Sequence, residues 1–158
     1  MSGTHEYIAT VRWTRGDGER FTDNRYSRAH QWHFDGGAVV PASSSPLVVR
    51  LPLSNPANVD PEEAFVASLS SCHMLFFLSY AAGEGFVVDS YEDQALGIMG
   101  RDARGRTSML KVVLRPRIVF SGERRPNAQQ LDALHHRSHE DCFIANSVRS
   151  EVVVEAPA

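Results

Sequence analysis

The chain predicts an α+β fold with mostly antiparallel strands. Three features carry this. A long apolar stretch with helix-start chemistry occupies 60–82. A two-residue alternation of apolar and polar side chains runs over 108–120. A second, more polar helical pattern at 127–141 precedes a short β-branched run.

Residues 5–14 read as a first strand, with Arg15-Gly16-Asp17-Gly18 as a hairpin turn. Ala29–Gly37 reads as a short strand closed by glycines. The stretch 39–46 is turn-rich, 47–52 is an expected edge strand ending at Pro52, and 54–60 is a loop. Asp60 is a good N-cap, with Pro61 at the first helical position and Glu63 three residues after the cap. That helix is expected to end near Ala82, where Gly83 and Gly85 follow. It is apolar on nearly every side, so it is expected to be central and buried. Two long strands follow at 87–100 and 108–120, joined by a turn at 101–106. In the second, Leu110, Val112, Leu114, Ile118 and Phe120 share one face. Helix 127–141 and a strand at 149–156 complete the order. No repeat or linker divides the sequence, so one domain over 1–158 is expected.

Composition excludes some functions. A net charge of −3 offers no basic face for nucleic acid. The first residues lack the basic start and apolar run of a secretion signal, and polar residues interrupt 59–82. A cytoplasmic protein without membrane or nucleic-acid partners is expected. Two cysteines in such a chain are free, metal-binding or redox-active rather than a disulfide scaffold.

Cys72 lies mid-helix, with Phe65, Ser68, Leu69, Leu75, Phe76 and Ser79 at same-face spacings. Its plainest role is a small core thiol. His73 is rotated about 100° away around the helix, poor geometry for a catalytic dyad. His135, His139 and Cys142 would share one face of a continuous helix, as in a zinc half-site. No second close cluster supplies a fourth ligand. Glu62 and Glu63 are explained by the helix dipole, and no phosphate-binding glycine loop or serine nucleophile elbow occurs.

At "DPEEAFVASLSSCH" and "CFIANSV" the chain resembles the OsmC/Ohr family of organic hydroperoxide reductases. The shared pattern is Asp60-Pro61-Glu62, a cysteine ten residues after that glutamate, and a second cysteine near the C-terminus. The stretches "YSRAHQWHFDGG" and "VPASSSP" place it nearer the OsmC-like branch. The resemblance implies an OsmC-like fold, with strands wrapped around two central helices in an intertwined homodimer. It also implies a peroxidatic Cys72, a resolving Cys142 and no cofactor or metal. The substrate would be an organic hydroperoxide, and the reductant an external dithiol, of the lipoyl type or another. Glu62 matches the carboxylate that orients a catalytic arginine, with Glu63 the capping alternative. Arg12, Arg15, Arg25 and Arg28 are candidates for that arginine. Arg28 is favoured because it precedes the "HQWHFDGG" strand. Phe65 and Phe76 are candidates for an alkyl pocket, whereas Phe77, off the Cys72 face, reads as core.

Helical geometry adds to the dimer expectation. Glu62 and Cys72 would lie about 15 Å apart along one helix and roughly 80° apart around it. One guanidinium cannot bond both in a single chain, so Glu62 is expected to serve the thiol of a second copy. The main alternative is a non-redox protein that binds a small molecule or metal through His135, His136 and His139. A thiol hydrolase with Cys72 as acyl nucleophile ranks last, for want of a well-placed base.

Overall fold

The computed structural model describes residues 3–155. The elements run β1 (Ala9–Arg12), β2 (His30–Phe34), β3 (Val39–Ala42), α1 (Pro61–Gly83), β4 (Val87–Asp93), β5 (Leu96–Arg101), β6 (Thr107–Leu114), β7 (Pro116–Ser121), α2 (Ala128–Asp141), a 3₁₀ turn (Ala145–Ser147) and β8 (Glu151–Val154). They fall into two compact units, one up to Ala64 and one from Phe65, with α1 continuous across the boundary.

The first unit is an antiparallel sheet in the order β1-β2-β3. The first strand is shorter than expected and does not turn back in a tight hairpin. Residues 13–29 intervene before β2, held by an aromatic cluster in which Phe21 stacks on Tyr26 at 4.7 Å and Trp13 meets Tyr26 edge-on at 5.4 Å. Two further expectations fail here. Val39–Ala42, read as turn-rich, is β3, because its register places Val40 opposite Trp32 and Pro41 opposite Gln31 on the outer strand. A proline is tolerated on such an edge. The expected edge strand at 47–52 is a series of turns. Ser45 captures the amides of Leu47, Val48 and Val49 through its hydroxyl and carbonyl, which diverts them from any ladder.

Helix α1 starts as its sequence dictates. Asp60 Oδ1 accepts from the Glu63 amide and Glu63 Oε1 from the Asp60 amide, both at 2.8 Å. It ends where Gly85, at φ +81°, adopts the left-handed conformation and the Phe86 amide reaches back to Ala81 O. The expectation that α1 is buried all round is wrong for the single chain. Only Leu69, His73, Phe77 and Ala81, one stripe at four-residue spacing, are buried, and Leu75 is 60% exposed. Length and composition alone would let α1 cross a membrane, a test that core helices also pass.

In the second unit each expected long strand is two. The break at Gln94–Ala95 separates β4 from β5, and Arg115 separates β6 from β7. The halves pair with different partners: β4 with β7 in one sheet, and β5-β6-β8 in another. Asp93 holds this corner, accepting from the Arg115 amide at 2.6 Å and the Ser70 hydroxyl of α1 at 2.5 Å. The alternation therefore fails at the inner end of β6. Val112, Val113 and Leu114 are all buried, while Leu110 is 37% exposed. The β6–β8 pairing is parallel and the other pairings are antiparallel. Two apolar clusters form the core. One gathers Phe77, Ala81, Phe86 and Leu134, and the other Leu69, Val112 and Leu114.

Candidate active site

Helix α2 begins with a reciprocal cap between Asn127 and Gln130 and stops at Asp141. Cys142 is the C-cap residue, with extended backbone at φ −63° and ψ 112°. The helical face expected to join His135, His139 and Cys142 therefore breaks before the cysteine. Released from the helix, Cys142 is 1% exposed, and its thiol lies close to that of Cys72, which is half-buried on α1. Neither cysteine is in a disulfide. Burial, then the neighbouring Cys72 thiol, push the Cys142 thiol up to about 11. The Ala145 amide, 3.4 Å from the sulfur, acts in the opposite direction.

Aromatic residues lie near both cysteines along the chain. Phe76, one turn after Cys72, meets Phe143 edge-on with ring centroids 5.0 Å apart. Phe65 packs against the Leu69, Val112 and Leu114 cluster. Phe77 is fully buried in the other cluster, as its position off the Cys72 face implied.

The remaining expected site residues lie in the first unit. Glu62 is half-buried, and its Oε2 has no hydrogen-bond partner among the described residues. Glu63 is committed to the helix cap. Arg28 is engaged locally. Its Nη1 donates to Tyr26 O, its Nη2 to Asn24 Oδ1 at 2.9 Å, and its guanidinium lies 3.7 Å over the Tyr26 ring.

One buried arrangement was not foreseen. His73, turned away from Cys72, has its Nε2 3.0 Å from His135 Nδ1, with the two rings stacked at 11°. His73 is held down to about 4 by burial and by its neighbours His135 and His139. Burial also takes His135 to about 4, against the pull of Asp132 and Asp93. Both are neutral at physiological pH. Adjacent His136 points outward to Glu140 at 3.2 Å. The three histidines of α2 thus do not act as one cluster, although His135, His136 and His139 all touch an open cleft of about 490 Å³. Among the described residues no three His, Cys, Asp or Glu side chains converge in a way that could hold a metal ion. Only pairing across α1 and α2 reveals His73–His135.

Comparison with known proteins agrees with this architecture. An OsmC-like protein of unknown function from Vibrio cholerae is 60% identical, with a TM-score of 0.96 over 98% of this chain and 100% of that one. An organic hydroperoxide resistance protein from Elizabethkingia anophelis shares the fold at 16% identity, with a TM-score of 0.67 over 99% of this chain and 96% of that one. The organic hydroperoxide resistance protein OhrB of Bacillus subtilis does so at 17% identity, with a TM-score of 0.63 over 96% and 98% of the two chains. Comparison with curated protein sequences gives no match. A family model described as OsmC-like protein spans residues 54–156, a stretch that holds both cysteines and Glu62. With that match and the identity to the Vibrio protein, the chain belongs to the OsmC-like family.

Proposed function

We propose that this protein is a thiol-dependent peroxidase that reduces organic hydroperoxides to alcohols, with Cys72 attacking and Cys142 resolving. The observation that carries the reading is the pair of free thiols brought close together, one on α1 and one just past α2. Two relatives of the same fold bear the name organic hydroperoxide resistance protein. The division of labour follows from environment. Only thiolate attacks a peroxide, and Cys142, pushed up to about 11, keeps its proton near neutrality. Cys72 is the more accessible thiol.

The Cys72 thiolate takes the terminal oxygen of the hydroperoxide and becomes a sulfenic acid. The O–O bond breaks and the alkoxide leaves as alcohol after taking a proton. Cys142 then displaces hydroxide from the Cys72 sulfur. The S–S bond forms, the S–O bond breaks, and hydroxide departs with the Cys142 proton as water. An external dithiol, of the lipoyl type in this reading, reduces the disulfide and is itself oxidised. The protein works in the cytoplasm as one OsmC-like domain, without cofactor. Phe76, beside the thiols, and Phe65 are proposed to meet the alkyl group. Arg28 is the guanidinium proposed to hold the thiolate and the peroxide oxygen. For that it must exchange Tyr26 and Asn24 for the sulfur.

The reading includes an obligate homodimer. The exposed Leu75 and half-buried apolar side chains of α1, with the unpartnered Glu62 Oε2, support a second copy that buries the former and pairs the latter. Glu62 is proposed to orient the arginine of the neighbouring subunit's site. Co-refolding inactive Cys72→Ser chains with inactive Glu62→Ala chains should then restore partial hydroperoxide turnover, since each heterodimer regains one intact site. A fully active monomer, or no rescue in verified heterodimers, would remove Glu62 from the neighbour's site.

A further inference from the structure

Cys142 stands just past the last turn of α2, joined to it by one hydrogen bond from its amide to His139 O. The residues on either side of it join it to α1. Asp141 accepts a hydrogen bond from the Tyr80 hydroxyl of α1 through Oδ2. Phe143 sits edge-on against Phe76 of α1, at 84° between ring planes. Tyr80 is braced in turn: the Arg137 guanidinium lies 3.7 Å over its ring, and the Phe76 ring is 6.0 Å away. On α1 the three gripping residues, Cys72, Phe76 and Tyr80, are spaced four apart and form one stripe. Their partners Cys142, Phe143 and Asp141 are consecutive in the chain.

We propose that Tyr80 and Asp141 are positioning residues for the resolving thiol, a clasp that, with Phe76 and Phe143, keeps Cys142 within bonding reach of the Cys72 sulfur. This rests on the peroxidase reading for its purpose but not for its geometry. The purpose lies in a competition. Once Cys72 is a sulfenic acid, either Cys142 displaces its hydroxyl as water, or a second hydroperoxide adds another oxygen to give an irreversible sulfinic acid. The outcome depends on the effective concentration of the Cys142 thiol at Cys72, which depends on how tightly its position is held.

The test compares wild type with Tyr80→Phe, which keeps the ring and its stacking on Arg137 and Phe76 and loses only the hydroxyl. Asp141→Ala and Asp141→Asn complete the set; the asparagine retains an oxygen that can accept from Tyr80. The first measurement needs no peroxide. Each protein is equilibrated in a glutathione redox buffer and the Cys72–Cys142 disulfide is quantified. Tyr80→Phe and Asp141→Ala should each lower the effective concentration of the pair about tenfold, a shift of about 30 mV. The double variant should be no worse than either single one, and Asp141→Asn should stay near wild type. The second measurement adds cumene hydroperoxide and traps sulfenic acid with dimedone. The trapped fraction at Cys72 should rise about tenfold in Tyr80→Phe, with over-oxidation to sulfinic acid at high peroxide. A wild-type glutathione equilibrium in both Tyr80→Phe and Asp141→Ala overturns the clasp. Should the equilibrium shift as expected while wild type consumes no hydroperoxide, the clasp stands and the peroxidase reading falls.

Discussion

Replacing Cys72 with serine should abolish hydroperoxide consumption, a loss of at least a thousandfold in turnover with cumene hydroperoxide and a dithiol reductant. A serine hydroxyl has no accessible anion near neutrality and cannot form a sulfenic acid. Cys142→Ser should behave differently. The first equivalent of peroxide is consumed, because the attacking sulfur is intact. Sulfenic acid then persists at Cys72, and steady turnover survives only as far as the external thiol can attack it directly. Exchanging the roles of the two cysteines would reverse this pattern. The buried environment of Cys142, which holds its thiol up to about 11, argues against such an exchange. Arg28→Ala should lower hydroperoxide turnover about tenfold, if its guanidinium holds the peroxide oxygen as proposed. Unchanged turnover in the variant would assign that role to another residue.

The second large effect is on stability. His73 and His135 form a neutral, hydrogen-bonded pair packed on Phe77, whose ring lies 4.6 Å from that of His135. Their neighbours are His139, which disfavours charge on His73, and Asp132 and Asp93, which favour it on His135. Both imidazoles take a proton at about 4 in the folded chain, against the ordinary 6.5. Between those values the unfolded chain binds more protons, so stability is complete above the ordinary value and is lost as pH falls toward the folded one. At about 1.4 kcal/mol per pH unit, the first imidazole alone accounts for on the order of 3 kcal/mol. Urea unfolding at pH 7.5 and 4.5 should show a loss of that order at the lower pH. The double variant His73→Leu/His135→Leu should flatten the dependence. Equal stability of wild type at the two pH values would mean that the pair is not buried and neutral.

How much of this was legible in the sequence depended on whether the information was local. The start of α1 was fully legible, since Asp60, Pro61 and Glu63 define a cap within four residues. The end of α1 at its glycines was legible for the same reason. The corner at Gln94–Ala95 and Arg115 was not. It arises because the two halves of each strand find partners in different sheets, and no single stretch records that. The turns at 47–52 deceived because Leu47, Val48 and Val49 have strand-like side chains, while Ser45 claims the amides a strand would need. At the site, the two cysteines could be matched by motif, but their contact depends on α2 ending one residue before Cys142. The His73–His135 pair and the Tyr80–Asp141 bond join residues 62 and 61 positions apart. Their only trace in the sequence is the four-residue spacing of His73 with Phe77, and of Cys72 with Phe76 and Tyr80.

The central claim is that oxygen transfer to Cys72 ends in a bond to Cys142. The most direct measurement is peptide mapping of fully reduced protein after one equivalent of cumene hydroperoxide, with free thiols alkylated under acid quench. The expected product is a single linked peptide pair joining Cys72 to Cys142 within one chain, formed in step with one equivalent of alcohol. Alcohol released without that cross-link, or peroxide left unconsumed while both thiols alkylate freely, would contradict it.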